Sequence, residues 1–274
     1  MLDLLNYEFF RNALIAVAII SVASAVIGTY IVTRRLVAIS GGVTHACFGG
    51  LGLGYFMGLN PIIMAAIFAV GSSLGVEWMS SRGRVREDSA IAAVWSLGMA
   101  LGVFFVFLTP GYVPELNSFL FGNILTVSTA DLWVFGIYAA VLIASMCMWH
   151  RTIVMCAFDS DFARVAGLPV GRVNCFMTVM TAVCIVLTIK LIGVMLLMSM
   201  LSLPQMIAEV WCRRFNTIMY ASVGVSLGCC LAGLGLSTVI DVPCSSMIVL
   251  VMVAVFLVVR GVDALRHIRA GVSA

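Results

Sequence analysis

Residues 157–172, AFDSDFARVAGLPVGR, form the longest polar interruption between two apolar runs in the second half of the chain. Asp159 is placed to cap a helix and Asp161 suits its first turn, while Gly167 and Pro169 end it after about two turns. Phe162, Val165, Ala166 and Leu168 give this short helix an apolar side that a purely solvated connector would not need. The stretch therefore reads as a helix lying outside a bilayer and offering a docking surface to another protein. The runs on either side of it read as membrane spans.

Composition supports that reading. Hydrophobic residues make up 63% of the 274 residues and charged ones only 10%, the profile of an integral membrane protein. Charges mark off apolar runs at 11–34, 35–77, 88–115, 131–151, 172–190, 190–209, 214–241 and 241–260. A spanning helix takes roughly 20 apolar residues, so the second run holds two spans, broken at the GLNP of residues 58–61. The expected fold is an all-α integral membrane bundle of about nine transmembrane helices, a single domain over residues 1–274. With 157–172 placed in the cytoplasm, the cytoplasmic segments carry Arg34 and Arg35; Arg82, Arg84 and Arg86; Arg151, Arg164 and Arg172; Arg213 and Arg214; and Arg260, Arg266 and Arg269. These are 13 of the 15 Lys and Arg, which puts the N-terminus outside and the C-terminus inside. The net charge of +3 thus concerns topology, not nucleic acid. The acidic, amphipathic opening MLDLLNYEFFR lacks the basic start of a cleavable signal and is expected on the outer surface. The nine cysteines are scattered without a CxxC pair and read as small apolar residues within spans.

The second span carries ISGGVTHACFGGLGLGYFMG, in which Gly42, Ala46, Gly50, Gly54 and Gly58 recur at every fourth position. Such a row lets another backbone approach closely. His45 sits on the adjoining row, with Gly41 one turn below and Gly49 one turn above, so nothing bulky is expected over the imidazole along its own helix. An ionisable group at this depth is a functional candidate; the alternative is a neutral histidine bonded to a neighbouring carbonyl.

Elsewhere the signals are structural. Glu87 and Asp88 open the fourth span, where they complement a helix N-terminus. Residues 114–129, with ELNSFLFGNILTVS, are too apolar for a free loop and too short for a span, and are expected as a re-entrant or surface helix at the outer mouth of a pathway. Trp149, His150 and Arg151 suit the interface at the end of the fifth span. Lys190, the one lysine, ends the sixth on the outer side. In the seventh, Pro204 is expected to bend the helix while neighbouring hydroxyls such as Ser199 and Ser202 satisfy the freed carbonyl. His267 falls in a basic tail. No HExxH or serine-nucleophile motif is present, and without Gly-Lys-Ser or Gly-Lys-Thr the chain cannot hydrolyse ATP alone. Transport is therefore favoured over chemistry.

Five blocks in order, RRLVAISGGVTHACFGGLGLGYFMG, REDSAIAAVWS, LNSFLFGNILTVS, AFDSDFARVAGLPV and KLIGVMLLMSMLSLPQMIA, resemble the membrane permease of bacterial ABC importers for divalent metal ions, the zinc and manganese uptake family of ABC-3 type. The resemblance covers nearly the whole chain. It implies a type II importer-like bundle in the bacterial cytoplasmic membrane, working as a homodimer on two copies of a separate cytoplasmic ATP-binding subunit. Metal would arrive from an extracytoplasmic binding protein, and no cofactor would be held permanently. Residues of about 158–168 would be the coupling helix, with Asp159, Phe162, Arg164, Gly167 and Leu168 engaging the ATPase. His45 would match the pathway histidine of the family pattern Asp-x-x-x-His, flanked by Gly49, Gly50 and Gly54. Gly41 stands here where that pattern has the aspartate. Two imidazoles facing one ion across a two-fold axis would suit zinc better than manganese or iron. The rival readings are a permease for siderophore or corrinoid chelates, an ion-coupled secondary transporter and an intramembrane hydrolase. The glycine-packed second span, the scarcity of embedded charge and the missing motifs weigh against them in turn.

Overall fold

The structure is a computed structural model that describes residues 7–82, 85–110, 122 and 124–272. A chain in lipid must satisfy its backbone polar groups internally, and among the described residues only helices do so: α1 Glu8–Thr33, α2 Val37–Met57, α3 Pro61–Arg82, α4 Glu87–Leu108, a 3-10 turn at Ile124–Thr126, α5 Thr129–Met148, α6 His150–Phe158, α7 Ser160–Val165, α8 Val170–Ile192, α9 Val194–Ala208, α10 Phe215–Ile240 and α11 Cys244–Val272. Eight of them are long and apolar enough to cross a membrane, and α9, with 15 residues, is the ninth apolar helix. Buried hydroxyls bond back within their own helices, as Ser24 to Ile20, Thr29 to Ala25 and Ser222 to Ile218, which meets their donors inside the span; the Ser73 hydroxyl of α3 is buried without a partner.

The bundle is built around α1 and α2. In their apolar windows 72% and 78% of residues are buried, against 17% in α4 and α11, so α1 and α2 are central while α4 and α11 present outer faces. Helix α2 lies between α4 and α3, α3 leans on α8, and α1 packs on α9, α10 and α5. The close contact with α4 depends on missing side chains. A Cβ on Gly98 would lie 2.3 Å from the Ala46 Cα, and one on Gly52 2.5 Å from the Gly102 carbonyl oxygen. The row of small residues expected to form one stripe divides between two neighbours. Gly42 and Ala46 meet α4, whereas a Cβ on Gly50 or Gly54 would strike the α3 backbone at Met64 or Pro61.

Helix α9 is short because Gly193, at φ +80°, breaks the chain between α8 and α9. Gly122, at φ +55°, backs onto that break, and any Cβ there would sit 2.3 Å from the Gly193 nitrogen. Irregular backbone is thus covered by protein, as membrane depth requires. Most of the expected re-entrant or surface helix of 114–129 lies outside the described residues. Its end is packed inward, with Ile124 and Val127 buried and Asn12 Nδ2 donating to the Val127 carbonyl.

Pro204 stands inside α9, and the acceptor it strands is met by an amide, not by a hydroxyl. Gln205 Nε2 donates to the Met200 carbonyl at 3.4 Å and to the Ser24 carbonyl of α1 at 3.1 Å. Ser199 and Ser202 instead turn back to Met195 and Met198. The hydroxyl expectation fails because those side chains lie on other rows of the helix, while Gln205 faces α1 over Gly28, the position with no side chain to block it.

Gly98→Ala should cost about 1–3 kcal/mol by forcing α2 and α4 apart, read as a lower thermal unfolding midpoint in detergent. Gly75→Ala, where a Cβ meets nothing within 4 Å, should leave the midpoint unchanged or raise it.

Candidate functional site

Two places carry the residues that sequence reading singles out, one on the short helix α7 and one on α2. The first is α7 with its flanks. Asp159 caps the helix as expected, its Oδ1 accepting from the Asp161 and Phe162 amides at 3.1 and 2.8 Å. At the other end Gly167 adopts φ +80°. Its N–H donates to the Arg164 carbonyl at 3.1 Å and the Leu168 N–H donates to the Ala163 carbonyl at 3.0 Å, the paired bonds of a Schellman stop. Leu168 then turns inward and packs with Val173 against Cys156, Ala163 and Val170. The apolar side left open is Phe162 and Val165, 60% and 88% exposed, next to Phe158. Arg164 stays at the surface within 3.6 Å of Asp161. Of the five residues expected to engage a partner, Phe162 and Arg164 face outward, whereas Asp159, Gly167 and Leu168 shape and anchor the helix.

Helix α6 precedes this unit and was not foreseen as separate from the fifth span. Trp149 ends α5, and α6 starts at His150. His150 and Phe158 both lie edge-on to Phe215 of α10, a packing role for His150. Between α6 and α8 opens a cavity of about 340 Å³ lined by Trp149, Thr152, Leu168, Pro169, Arg172 and Phe176. This concave space lies beside α7, away from His45, and its walls are mostly apolar. Nearby Arg34 binds the Tyr30 phenol at 3.0 Å and approaches Glu77 at 4.0 Å. Burial would lower the Arg34 pKa, but the Tyr30 phenol and Glu77 outweigh it and raise it, so the guanidinium keeps its charge. Burial pushes the Cys156 thiol up, with Arg34 acting against it, consistent with a packed, unreactive thiol.

The second place is His45. Its imidazole is half-buried and stacked on Trp95 of α4, with ring centroids 4.5 Å apart and planes 8° from parallel. Phe48, three residues along α2, lies 5.9 Å away. The imidazole is therefore covered on one face, although its own-helix neighbours Gly41 and Gly49 are bare. No carbonyl takes Nδ1, which is buried without a partner, so Nε2 is the ring nitrogen left to meet a ligand. Gly41 is not empty ground: a Cβ there would meet the Met198 methyl at 3.0 Å and Trp95 Cζ3 at 3.5 Å. Gly49 is filled by Phe68 of α3 and the Gly98 carbonyl. Among the described residues no three His, Cys, Asp or Glu side chains gather closely enough to hold a metal ion.

At the bundle end opposite Arg34, Lys190 pairs with Asp131, which Ser128 also bonds. This ties α5 to α8. Sequence reading missed Trp95 and Met198. A tryptophan two turns inside a span, away from the interface where it usually sits, was the available signal for the first; among 17 methionines nothing marked the second.

The ABC 3 transport family matches residues 6–262. The chain belongs to this family. It is 34% identical over 238 residues to a probable metal transport system membrane protein of Chlamydia pneumoniae, covering 85% of this chain and 81% of that one. It is 26% identical over 255 residues to the manganese transport system membrane protein MntC of Listeria monocytogenes, covering 93% and 91%. Its fold matches a chain of PsaBC from Streptococcus pneumoniae in complex with Fab, with a TM-score of 0.82 over 94% of this chain and 93% of that one at 23% identity. Family membership and eight apolar helices make this a multi-pass permease of the bacterial cytoplasmic membrane.

Asp159→Ala removes both cap bonds, worth about 1 kcal/mol. The amides of 161–165 should then exchange hydrogen roughly fivefold faster, while exchange in α2 and α8 stays as it was.

Proposed function

We propose that two copies of this permease form a two-fold conduit that carries a divalent metal ion, zinc in preference to manganese, into the cytoplasm. A separate cytoplasmic ATP-binding subunit drives it and an extracytoplasmic binding protein supplies it. The observation that carries the coupling is α7: a six-residue helix, fixed at both ends, whose exposed apolar pair Phe162 and Val165 stands on an inward anchor of Ala163 and Leu168. A helix held so firmly and yet apolar outside fits a groove in a partner better than it fits water. The cluster of Arg34, Arg151, Arg164 and Arg172 at that end supports a cytoplasmic position for it by the positive-inside rule, with the N-terminus outside.

His45 meets the passing ion through Nε2. An ABC importer switches between two arrangements that nucleotide favours unequally, and the ion needs only brief contact in each, so a site without a closed ligand cage is no obstacle. The preference for zinc over manganese follows from the donor set, because the carboxylate position of the family pattern is Gly41 and imidazole suits zinc whereas manganese favours oxygen. The manganese named for the Listeria relative is the competing cargo.

Val165→Asp should abolish ion uptake into liposomes bearing the permease and its ATPase subunit, with the permease still folded and inserted; normal uptake would place the docking surface elsewhere. Transport by the permease alone, without any ATPase, would overturn the importer reading altogether.

A further inference from the structure

We infer that Trp95 and Met198 decide which cation this permease accepts, by occupying the ground over Gly41 that an oxygen ligand would need. The inference rests on the reading of His45 as the ion contact and names what surrounds it. The Trp95 ring lies flat on the imidazole at 4.5 Å. A stack of that kind covers a face and leaves the ring edge open, and a metal binds imidazole in the ring plane at that edge. Trp95 therefore fixes the plane in which Nε2 points without blocking it. It acts as a positioning residue.

The same two side chains also stand in the way of an oxygen ligand. A Cβ at residue 41 would stand 3.0 Å from the Met198 methyl and 3.5 Å from Trp95, so a carboxylate there would have to displace the Met198 side chain. In its place stands Met198 of α9, whose methyl reaches the Gly41 position and whose thioether is a soft and polarizable sulfur. Imidazole with thioether and no oxygen suits zinc-class cations and is poor for manganese, which prefers oxygen ligands. Trp95 is 40% exposed, while His45 and Met198 are half-buried, so the trio lies at the surface of one copy. A polar imidazole edge at membrane depth faces protein or a watery path, not lipid, and a pathway shared with a second copy meets that requirement.

Zinc and manganese uptake would be compared, with one loaded binding protein throughout, in liposomes carrying the full complex. Trp95→Ala and Trp95→Leu should each lower the zinc-to-manganese ratio about tenfold, the usual scale for removing a group that orients a metal ligand. Trp95→Phe, which keeps a stacking face, should stay close to the original ratio. Gly41→Asp should lose uptake of both ions, and Gly41→Asp combined with Trp95→Ala should recover manganese uptake. An unchanged ratio in both Trp95→Ala and Trp95→Leu, with His45→Ala inactive, would overturn the role of Trp95 and leave the pathway standing. If His45→Ala transports both ions normally, the ion-contact reading itself falls. Should Trp95→Ala fail to assemble, Trp95→Leu, which keeps an apolar side chain there without an aromatic face, decides the question.

Discussion

The approach of α2 to α4 at Ala46 and Gly98 sets the spacing on which the candidate site depends. Backbone touches backbone there, since a single added carbon would lie 2.3 Å from the Ala46 Cα. His45 is next to Ala46, and Trp95 is one turn from Gly98. Only because the helices meet so closely can the two rings stack at 4.5 Å with nearly parallel planes. In lipid there is no hydrophobic gain from bringing two apolar helices together, so close packing and buried polar contacts must hold them. The glycines of α2 and α4 therefore hold the two helices at this spacing.

Where helices break, the same need to satisfy backbone groups decides the local design. At Gly193 a second glycine covers the break. At Pro204 one glutamine amide serves the carbonyl stranded in α9 and a carbonyl of α1, joining the two helices at the point where α9 is weakest. Near α7 the break is made by Asp159 and closed by the stop at Gly167 and Leu168. Leu168 and Ala163 tie that unit to Cys156 of α6 and Val170 of α8, so a load applied to α7 passes directly to α8, which also contacts α3 and bears Lys190. These connections link α7, through α8, to the opposite bundle end.

Apolar lengths, the Asp159 cap and the Gly167 stop were legible in the sequence because each is a local property of a few adjacent residues. Facing was harder. Residues at every fourth position advance about 400° around a helix of 3.6 residues per turn, or some 40° beyond a full circle at each step. The row Gly42, Ala46, Gly50, Gly54 therefore winds gradually from α4 round to α3, and a pattern that looks like one stripe serves two neighbours. Leu168 shows the same limit: its apolar character was plain, but whether it faced a partner or the chain's own core depended on the turn that Gly167 makes. Gln205 could not be read at all, and Trp95 only as a tryptophan set away from the interface, because their roles lie in what a distant helix brings to them. The separate helix α6 was hidden by the interfacial character of Trp149 and His150, which suits the end of a span as well as the start of a new helix.

The cavity of about 340 Å³ between α6 and α8, mostly apolar, is not at His45, and that separation bears on cargo. A siderophore or corrinoid needs a wide chamber along its route, whereas α2 is closed on one side by α4 and on the other by α3 through backbone contacts that leave no slack. What α2 and α4 leave accessible is one imidazole edge beside a tryptophan ring, enough to touch an ion and too little to surround one. A polar edge is costly along a lipid-facing surface, so an imidazole placed there has to be covered by protein or to line a watery path. One chain by itself does not surround an ion, since among the described residues no three His, Cys, Asp or Glu side chains gather closely enough to hold one.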